Sequence, residues 1–408
     1  MLGRHGGMQR QRKARPGIVA DDLSGAMDSG LQFARRGLET WVALADDDLS
    51  AAEALAVSTE SRDAPADEAR ARIKEAARLV RGRNLYKKID STLRGNPGLE
   101  TVTLLREAGY EKAIVCPAFP EQERVVSEGQ LFVAGRPLER SDPAKDLRWP
   151  ISSSLVKDIL LKEITSLCGY VDLRKVERGP WGLVGALDSV IADLVVVDAV
   201  SRRHLDIIAE AILLAEGRWL PCGSAGLAGS LAALLSSGSA QPDAVPTTEK
   251  PVLVVAGSRQ KTTANQIRKA EARLRVPVIS FPASGDDLAE KALKFLMEGQ
   301  SVILTTSDAF IPGSKQEIAE SLAALSRRLC EGVELAGLFL TGGDIALAVC
   351  RALEARAIQI LTEIEPGVPV GIVQGGCAAG MRIITKAGGF GSPDVLIKAI
   401  GYLQGKSY

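Results

Sequence analysis

The sequence predicts an α/β protein: two α/β domains with mainly parallel sheets and a substrate cleft between them. Three observations carry this expectation. Short, almost wholly apolar runs recur along the chain, among them Gly17–Asp21 (GIVAD), Ala113–Cys116 (AIVC), Asp193–Asp198 (DLVVVD) and Pro251–Ala256 (PVLVVA). Unalternating runs of that length mark strands covered on both faces, as in parallel sheets. Segments with helical spacing separate them. Finally, Ser236–Lys250 (SSGSAQPDAVPTTEK) is rich in Ser, Pro and Thr and has no periodicity, and the strand–helix pattern restarts after it, as expected of a linker. The chain has 408 residues, enough for two or three domains with buried cores.

In chain order, Gly17–Asp21 reads as the first strand, Asp22–Ala26 as a turn and Met27–Gly37 as a helix closed by glycine. Thr40–Ala45 is the next strand, 63–81 a charged helix, and Leu85–Ile89 a strand running into Asp90. Ala113–Cys116 ends at Pro117, and Asp193–Asp198 follows. Beyond the linker come strands at Pro251–Ala256, Val278–Phe281, Ser301–Thr305, Gly337–Leu340 and Val368–Val373, with helices over 264–275 and 345–353. The boundaries are a disordered basic arm at 1–16, an N-terminal domain at 17–238, a linker at 239–250 and a C-terminal domain at 251–408. No internal repeat is evident.

Composition excludes several function classes. Lys plus Arg is 50 and Asp plus Glu is 50, so no strongly basic surface for nucleic acid is expected. Aromatic residues are 4%, too few for base-stacking platforms. The two histidines, His5 and His204, leave nothing for a histidine metal site or a serine-type triad. The six cysteines (116, 168, 222, 330, 350, 377) have no CxxC or zinc spacing and read as reduced core thiols. No apolar run reaches membrane-spanning length, and the start lacks a signal-peptide core. A cytoplasmic protein with no membrane or nucleic-acid partner is expected.

Ligands of open α/β sheets sit at the C-terminal ends of strands, which directs attention to five turns. At Asp21-Asp22-Leu23-Ser24-Gly25, one carboxylate can cap the helix while the other accepts a proton from a hydroxyl or holds a cation; capping alone would explain the same residues. At Lys87-Lys88-Ile89-Asp90-Ser91-Thr92-Leu93-Arg94, lysines, a carboxylate, hydroxyls and an arginine suit an anionic polyol. Gly257-Ser258, Thr341-Gly342-Gly343-Asp344 and Lys386-Ala387-Gly388-Gly389-Phe390-Gly391 are glycine turns that let backbone approach a phosphate. Three such turns in one domain favour a nucleotide site. Residues 401–407 (GYLQGKS) are one residue short of a Walker loop, and no GxGxxG opens a βαβ unit, so a dinucleotide dehydrogenase is disfavoured.

Taken in order, ADDLSGA (20–26), KKIDSTLRGN (87–96), CPAFP (116–120) with GQLFVAGRPL (129–138), VVVDA (195–199), LPCGSAGLA (220–228), VVAGS (254–258), TGGD (341–344) and KAGGFG (386–391) resemble the four-carbon acid sugar kinase family. The resemblance runs from Gly17 to about Val395. It implies an N-terminal domain that binds threonate, erythronate or a 3-oxo-tetronate, a C-terminal domain that binds ATP with Mg²⁺, and phosphorylation of the terminal hydroxyl. It places nucleotide contacts at Ser258, Gly342, Gly343, Asp344, Ile345 and Gly388. It places acid-sugar contacts at Asp21, Asp22, Lys88, Asp90, Ser91 and Arg94. In that reading Asp22, or failing it Asp90, is the base, and Arg94 or Lys88 holds the substrate carboxylate. Domain closure over the linker would exclude water.

The chain departs from the family pattern at four places. Ser24 stands for Thr, Glu123-Arg124 for Gly-Arg, Gln260 for Ser, and Asp344-Ile345 for Glu-Thr. These departures motivate the alternative, a non-catalytic sugar-acid or nucleotide-binding sensor or effector that keeps the kinase fold. A homodimer is the default assembly.

Overall fold

The first helix of the chain begins where its sequence demands. Asp22 leaves the strand in an extended conformation and its carboxylate accepts from the Gly25 N–H at 2.7 Å, an N-cap that starts the helix three residues past the last strand residue. The structure, a computed structural model, describes residues 15–45, 49–146, 148–236, 238–239, 245–258, 260–281, 285–306 and 315–406. All but the last two residues of the predicted basic arm, and positions 240–244 of the predicted linker, lie outside the described residues.

The N-terminal unit comprises β1 (Pro16–Ala20), α1 (Leu23–Ala34), β2 (Thr40–Ala43), β3 (Ala54–Ser58), α2 (Ala66–Leu79), β4 (Asn84–Lys88), α3 (Pro97–Ala108) and β5 (Lys112–Cys116). A small antiparallel sheet follows: β6 (Arg124–Ser127), β7 (Gln130–Val133) and β8 (Arg136–Pro137). The unit closes with α4 (Val156–Leu160), β9 (Cys168–Val171), α5 (Leu173–Val176), α6 (Gly179–Asp188), β10 (Leu194–Val197), α7 (Arg202–Leu214), β11 (Trp219–Gly223) and α8 (Ala225–Leu235). The C-terminal unit comprises β12 (Val252–Ala256), α9 (Lys261–Leu274), β13 (Val278–Ser280), α10 (Gly285–Met297), β14 (Val302–Thr305), α11 (Lys315–Gly332), β15 (Gly337–Thr341) and α12 (Gly343–Ala352). It ends with β16 (Ala357–Glu363), β17 (Pro369–Gln374), β18 (Arg382–Lys386) and α13 (Val395–Leu403).

The α/β class and the mainly parallel pairing follow expectation. The apolar runs GIVA, AIVC, LVVV and VLVVA are fully buried central strands. The separation of the sheets does not follow it. Among the described residues, every strand except β6–β8 joins one sheet of 15 strands, in the order β13-β14-β12-β15-β18-β17-β16-β2-β3-β1-β4-β11-β5-β10-β9. Its antiparallel pairings are β18–β17, β17–β16 and β16–β2, and the last joins the two units. Pairing β2 with β16 covers two edges that would otherwise expose unpaired amides.

These three reversals point the parallel strands of the two units in opposite nominal senses. Six strand-to-strand steps separate β1 from β15, and at about 20–25° per step the sheet turns by roughly 120–150° between them. The twist therefore largely undoes the reversal. Helix α1 spans the junction: a Cβ on Gly30 would come within 2.6 Å of Ile360 Cδ1 on β16, so glycine lets this N-terminal helix seat on a C-terminal strand.

Register sets the level at which the turns leave the sheet. Ala20 pairs with Ser58 on one side and Lys88 on the other. In the second unit Ala256 pairs with Thr341, and Thr341 with Lys386. Each group of three turns therefore leaves its sheet together.

Helix α3 gives a direct test of the packing. A Cβ at Gly98 would lie 1.8 Å from the Leu160 carbonyl oxygen, where α3 meets α4. Helix propensity alone favours Ala over Gly by about 1 kcal/mol. Gly98→Ala should instead destabilise the protein by about 1–3 kcal/mol, the usual range for overpacking, and lower the thermal midpoint. A midpoint at or above that of the parent would contradict this contact.

Candidate active site

The site begins with a charge problem. Asp21, Asp22 and Asp90 leave adjacent strand ends, and three carboxylates at close quarters repel one another. Arg62 resolves this. Its Nε donates to Asp21 Oδ2 at 2.7 Å, its Nη1 to Asp22 Oδ2 at 2.5 Å, and its Nη2 stands 3.8 Å from Asp90 Oδ1. The Arg62 side chain is 18% exposed, and the surrounding carboxylates raise its pKa well above the usual value against the cost of burial. Arg62 belongs to Thr59-Glu60-Ser61-Arg62, the turn after β3. The sequence reading missed that strand, and with it this residue. The signal was the apolar run Ala54–Ser58 ending in a polar turn.

The three carboxylates are not equivalent. Asp21 is buried, which pushes its pKa up, but Arg62 and then Lys88 outweigh that and hold it below the usual value; its Oδ1 is buried without a partner. Asp90 is buried too, yet Arg94 and Arg62 hold it well below the usual range. Arg94 grips Asp90 with Nε and Nη2 at 2.9 and 3.0 Å, and the Thr92 amide donates to it at 3.2 Å. Asp22 differs. Burial raises its pKa, Arg62 opposes, the Asp21 charge pushes it up again, and the net shift is upward.

Beneath this layer Lys87, fully buried, pairs with Glu100 at 2.8 Å, and Ser61 Oγ donates to Glu100 at 2.7 Å. Thr59 Oγ1 donates to the Ala20 carbonyl at 2.9 Å. This scaffolding fixes the turns that carry Asp21 and Arg62. Lys88, 5% exposed, is an attractive charge for Asp21, Asp22 and Asp90. Ser91 is half-buried at the tip of the same turn.

In the C-terminal unit the turns after β12, β15 and β18 converge. Gly342 has φ of 100°, a conformation natural only to glycine, and its N–H donates to the Lys386 carbonyl at 3.0 Å. It is the N-cap of α12 and supplies no side-chain cap, so the first-turn amides of Gly343, Asp344 and Ile345 face a ligand position at the positive end of the helix. Ser258 lies against Gly388, where a Cβ would fall 2.0 Å from Ser258 Oγ. Thr341 Oγ1 is buried and unpartnered. Lys386 Nζ bonds the Ala387 and Gly388 carbonyls, each at 3.1 Å, and burial pushes its pKa down to about 8. An uncapped helix end, an orphaned hydroxyl, a glycine cradle and a buried ammonium together fit a polyphosphate.

The two clusters meet. A Cβ built on Gly343 would stand 3.5 Å from Ser24 Oγ and 3.7 Å from Asp22 Oδ2. The carboxylate with the raised pKa thus faces the first turn of the nucleotide-side helix.

The departures from the family pattern leave the cluster intact. Glu123 takes the left-handed conformation (φ 56°) that a glycine would take. Ile345 is buried and fills the space beside Gly257, whose Cβ would come within 2.1 Å of it. Gln260 is the N-cap of α9 and makes no side-chain cap bond. Among the described residues no group of three or more His, Cys, Asp or Glu is arranged to hold a metal ion. Asp344 with phosphate oxygens suits Mg²⁺, which keeps waters and takes few protein carboxylates.

Comparison with known proteins agrees with this division. The family described as a sugar-binding N-terminal domain matches residues 16–231, and that described as a nucleotide-binding C-terminal domain matches 253–396. A D-threonate kinase of Salmonella typhimurium is 34% identical, over 95% of this chain and 98% of its own length. A D-threonate kinase of Bordetella bronchiseptica is 36% identical (94% and 96%), and a D-erythronate kinase of Heliobacterium modesticaldum 31% (95% and 97%). A crystal structure from Salmonella typhimurium LT2 has the same fold, with a TM-score of 0.81 over 94% of this chain and 98% of that chain at 23% identity.

Glu60, also in the turn after β3, provides a pH signature. It has φ of 48° and accepts from Ser58 Oγ. Burial, with the Asp22 and Asp344 charges adding, pushes its pKa up to about 7. A carboxyl raised in the fold binds its proton more tightly there than in the unfolded chain. The fold therefore loses stability as pH rises from the unfolded value near 4.5 through about 7. Glu60→Gln removes that loss. Its stability relative to the parent should rise between pH 5 and pH 8 in denaturant titrations, and a difference independent of pH would contradict the burial of this carboxyl.

Proposed function

The chain belongs to the four-carbon acid sugar kinase family, and from that premise we propose that it transfers the γ-phosphoryl group of ATP to the terminal hydroxyl of threonate, erythronate or a 3-oxo-tetronate. The observation that carries the reading is the approach of Asp22 to Gly343, which joins an acid-and-cation cluster suited to an anionic polyol to a helix end suited to phosphate.

Phosphoryl transfer depends mainly on alignment and charge stabilisation. Asp22 is the base that orients the hydroxyl and takes its proton, because its pKa is raised towards the working range. Asp90, pinned by Arg94 and held well below the usual carboxylate range, is a poor acceptor and acts as an anchor. Arg62 keeps Asp21 and Asp22 in place. Lys88, with no carboxylate hydrogen bond among the described residues, takes the substrate carboxylate in preference to Arg94, whose fork is already engaged. Ser91 meets a substrate hydroxyl. Gly343, Asp344, Ile345 and Gly388 hold the ATP phosphates through backbone amides and Ser258 through its hydroxyl, while Gly342, its own amide spent on the Lys386 carbonyl, shapes the turn that presents them. Mg²⁺, held by Asp344 and the phosphates, would supply charge neutralisation. No helix among the described residues is long and apolar enough to cross a membrane; the proposed site of action is the cytoplasm.

ADP release with ATP, Mg²⁺ and a panel of four-carbon sugar acids tests the reading. ADP formed only with one acid identifies the substrate, and the absence of turnover with every acid would overturn it. Asp22→Asn keeps an N-capping side chain and should lower kcat by about 10²–10⁴-fold with ATP affinity unchanged by calorimetry. Gly388→Ala, whose Cβ would collide with Ser258 Oγ, should weaken ATP binding instead. Parent-like turnover in Asp22→Asn would remove Asp22 from the role of base.

A further inference from the structure

Arg124 is where the acid side and the nucleotide side of the cleft come together. It opens β6 directly after Glu123, and its backbone is locked by two bonds with Phe119: Phe119 N–H to Arg124 carbonyl at 2.8 Å and Arg124 N–H to Phe119 carbonyl at 3.1 Å. The hairpin thereby fixes the backbone position from which the side chain projects. Its Cζ stands 5.8 Å from the centroid of Phe390, two residues beyond Gly388 in the glycine loop of the other unit. It lines a recess with Gln122, Glu365, Phe390, Gly391 and Ser392.

The cations around the cleft differ in what they have left to offer. Arg62 is committed to Asp21 and Asp22, Arg94 to Asp90, and Lys87 to Glu100. Glu365, the acid in the recess, is taken by Lys398 and Ser392. Among the described residues the Arg124 side chain makes one hydrogen bond, from Nη1 to the Gln122 carbonyl at 3.0 Å, while its Nε is buried with no partner. Asp90, Arg94, Asp28 and Glu123 are the charged groups whose fields reach it, and none is hydrogen-bonded to it. A buried guanidinium nitrogen without an acceptor is costly unless a ligand supplies one.

We propose that Arg124 binds the phosphoryl group in transit, as a guanidinium lent by the acid-binding unit to the nucleotide of the other unit. This rests on the kinase reading and adds a residue to it. The Phe390 ring and the recess keep the guanidinium at the boundary, and the oxygens of the transferred group meet its open donors. Its charge then acts on the equatorial oxygens of the transferred group, as the acceptor oxygen bonds to phosphorus and the electron pair of the breaking bond goes to the departing ADP.

Steady-state kinetics of Arg124→Ala and Arg124→Lys provide the test, with ATP affinity by calorimetry and the thermal midpoint of each variant. The expected result for both is a fall in kcat of about 10²–10³-fold, with ATP affinity and the KM of the acid within about threefold. Millimolar guanidinium should restore part of the lost kcat in Arg124→Ala and none in Arg124→Lys. A kcat retained in both variants overturns the proposal. So does a rise in acid KM at constant kcat, which would make Arg124 a carboxylate holder. So does a kcat loss in Arg124→Ala that guanidinium does not relieve, which would assign the loss to hairpin packing. If Arg124→Ala does not fold, Arg124→Lys, which keeps most of the stem, decides alone: its kcat must fall. If the parent forms no ADP with any acid, the kinase reading fails first, and the two failures are distinct.

Discussion

One guanidinium among three carboxylates is the constraint on which the acid side of the cleft depends. Without Arg62, the Asp21, Asp22 and Asp90 carboxylates would face one another at the ends of neighbouring strands, and burial would drive protons onto at least one of them. With it, Asp21 and Asp90 stay ionised and only Asp22 is raised. A base in a phosphoryl-transfer site must be ionised when the hydroxyl arrives and must still hold the proton it takes. Under the proposed assignment of Asp22 as the base, the inequality among these acids would supply that property from residues of one type. The Lys87–Glu100 pair below is too deep to touch a ligand; removing either partner would leave an uncompensated buried charge beneath the turns.

The β2–β16 pairing changes how the cleft can work. A sequence of two α/β units with a polar linker suggests hinge closure about that linker. Here the units are hydrogen-bonded edge to edge, and α1 lies across the seam with Gly30 against Ile360. A rigid-body hinge would break backbone bonds in the middle of a continuous sheet. Water exclusion over the reacting groups therefore falls to smaller parts: the β6–β7–β8 hairpin from one side and the 386–391 loop from the other, which touch at Arg124 and Phe390.

What was legible in the sequence follows from where information is local. Buried parallel strands are wholly apolar, so GIVA and VLVVA were readable, and glycine turns announce themselves by composition. Strand β3 is short and built largely of Ala with a terminal Ser58, a weak strand signal, and without it the turn that carries Glu60 and Arg62 is not marked as a strand end. Strands β16 and β18 carry Gln359, Thr362, Glu363, Arg382 and Lys386 among their apolar residues, and this mixture hid the strand that joins the units. Arg94 looked free to hold a substrate because its tie to Asp90, four residues earlier, depends on a left-handed Leu93 (φ 60°) that no pattern in the sequence signals.

Charge bookkeeping links these points to the chain's zero net charge. Around the acid site, Asp21, Asp22 and Asp90 are matched by Arg62, Arg94 and Lys88. That cluster is close to neutral before any ligand arrives. A sugar acid adds one negative charge, which Lys88 can meet in the proposed reading, and ATP several more, which the cations of the cluster cannot. The surplus must come from outside it, and two cations stand there: the buried Lys386 among backbone carbonyls and Arg124 on the hairpin, neither hydrogen-bonded to a carboxylate among the described residues. With the acid cluster near neutral and these two cations beside it, the proposed site is best matched in charge when acid and nucleotide are both bound. That state is the one from which transfer to the hydroxyl, rather than to water, can proceed.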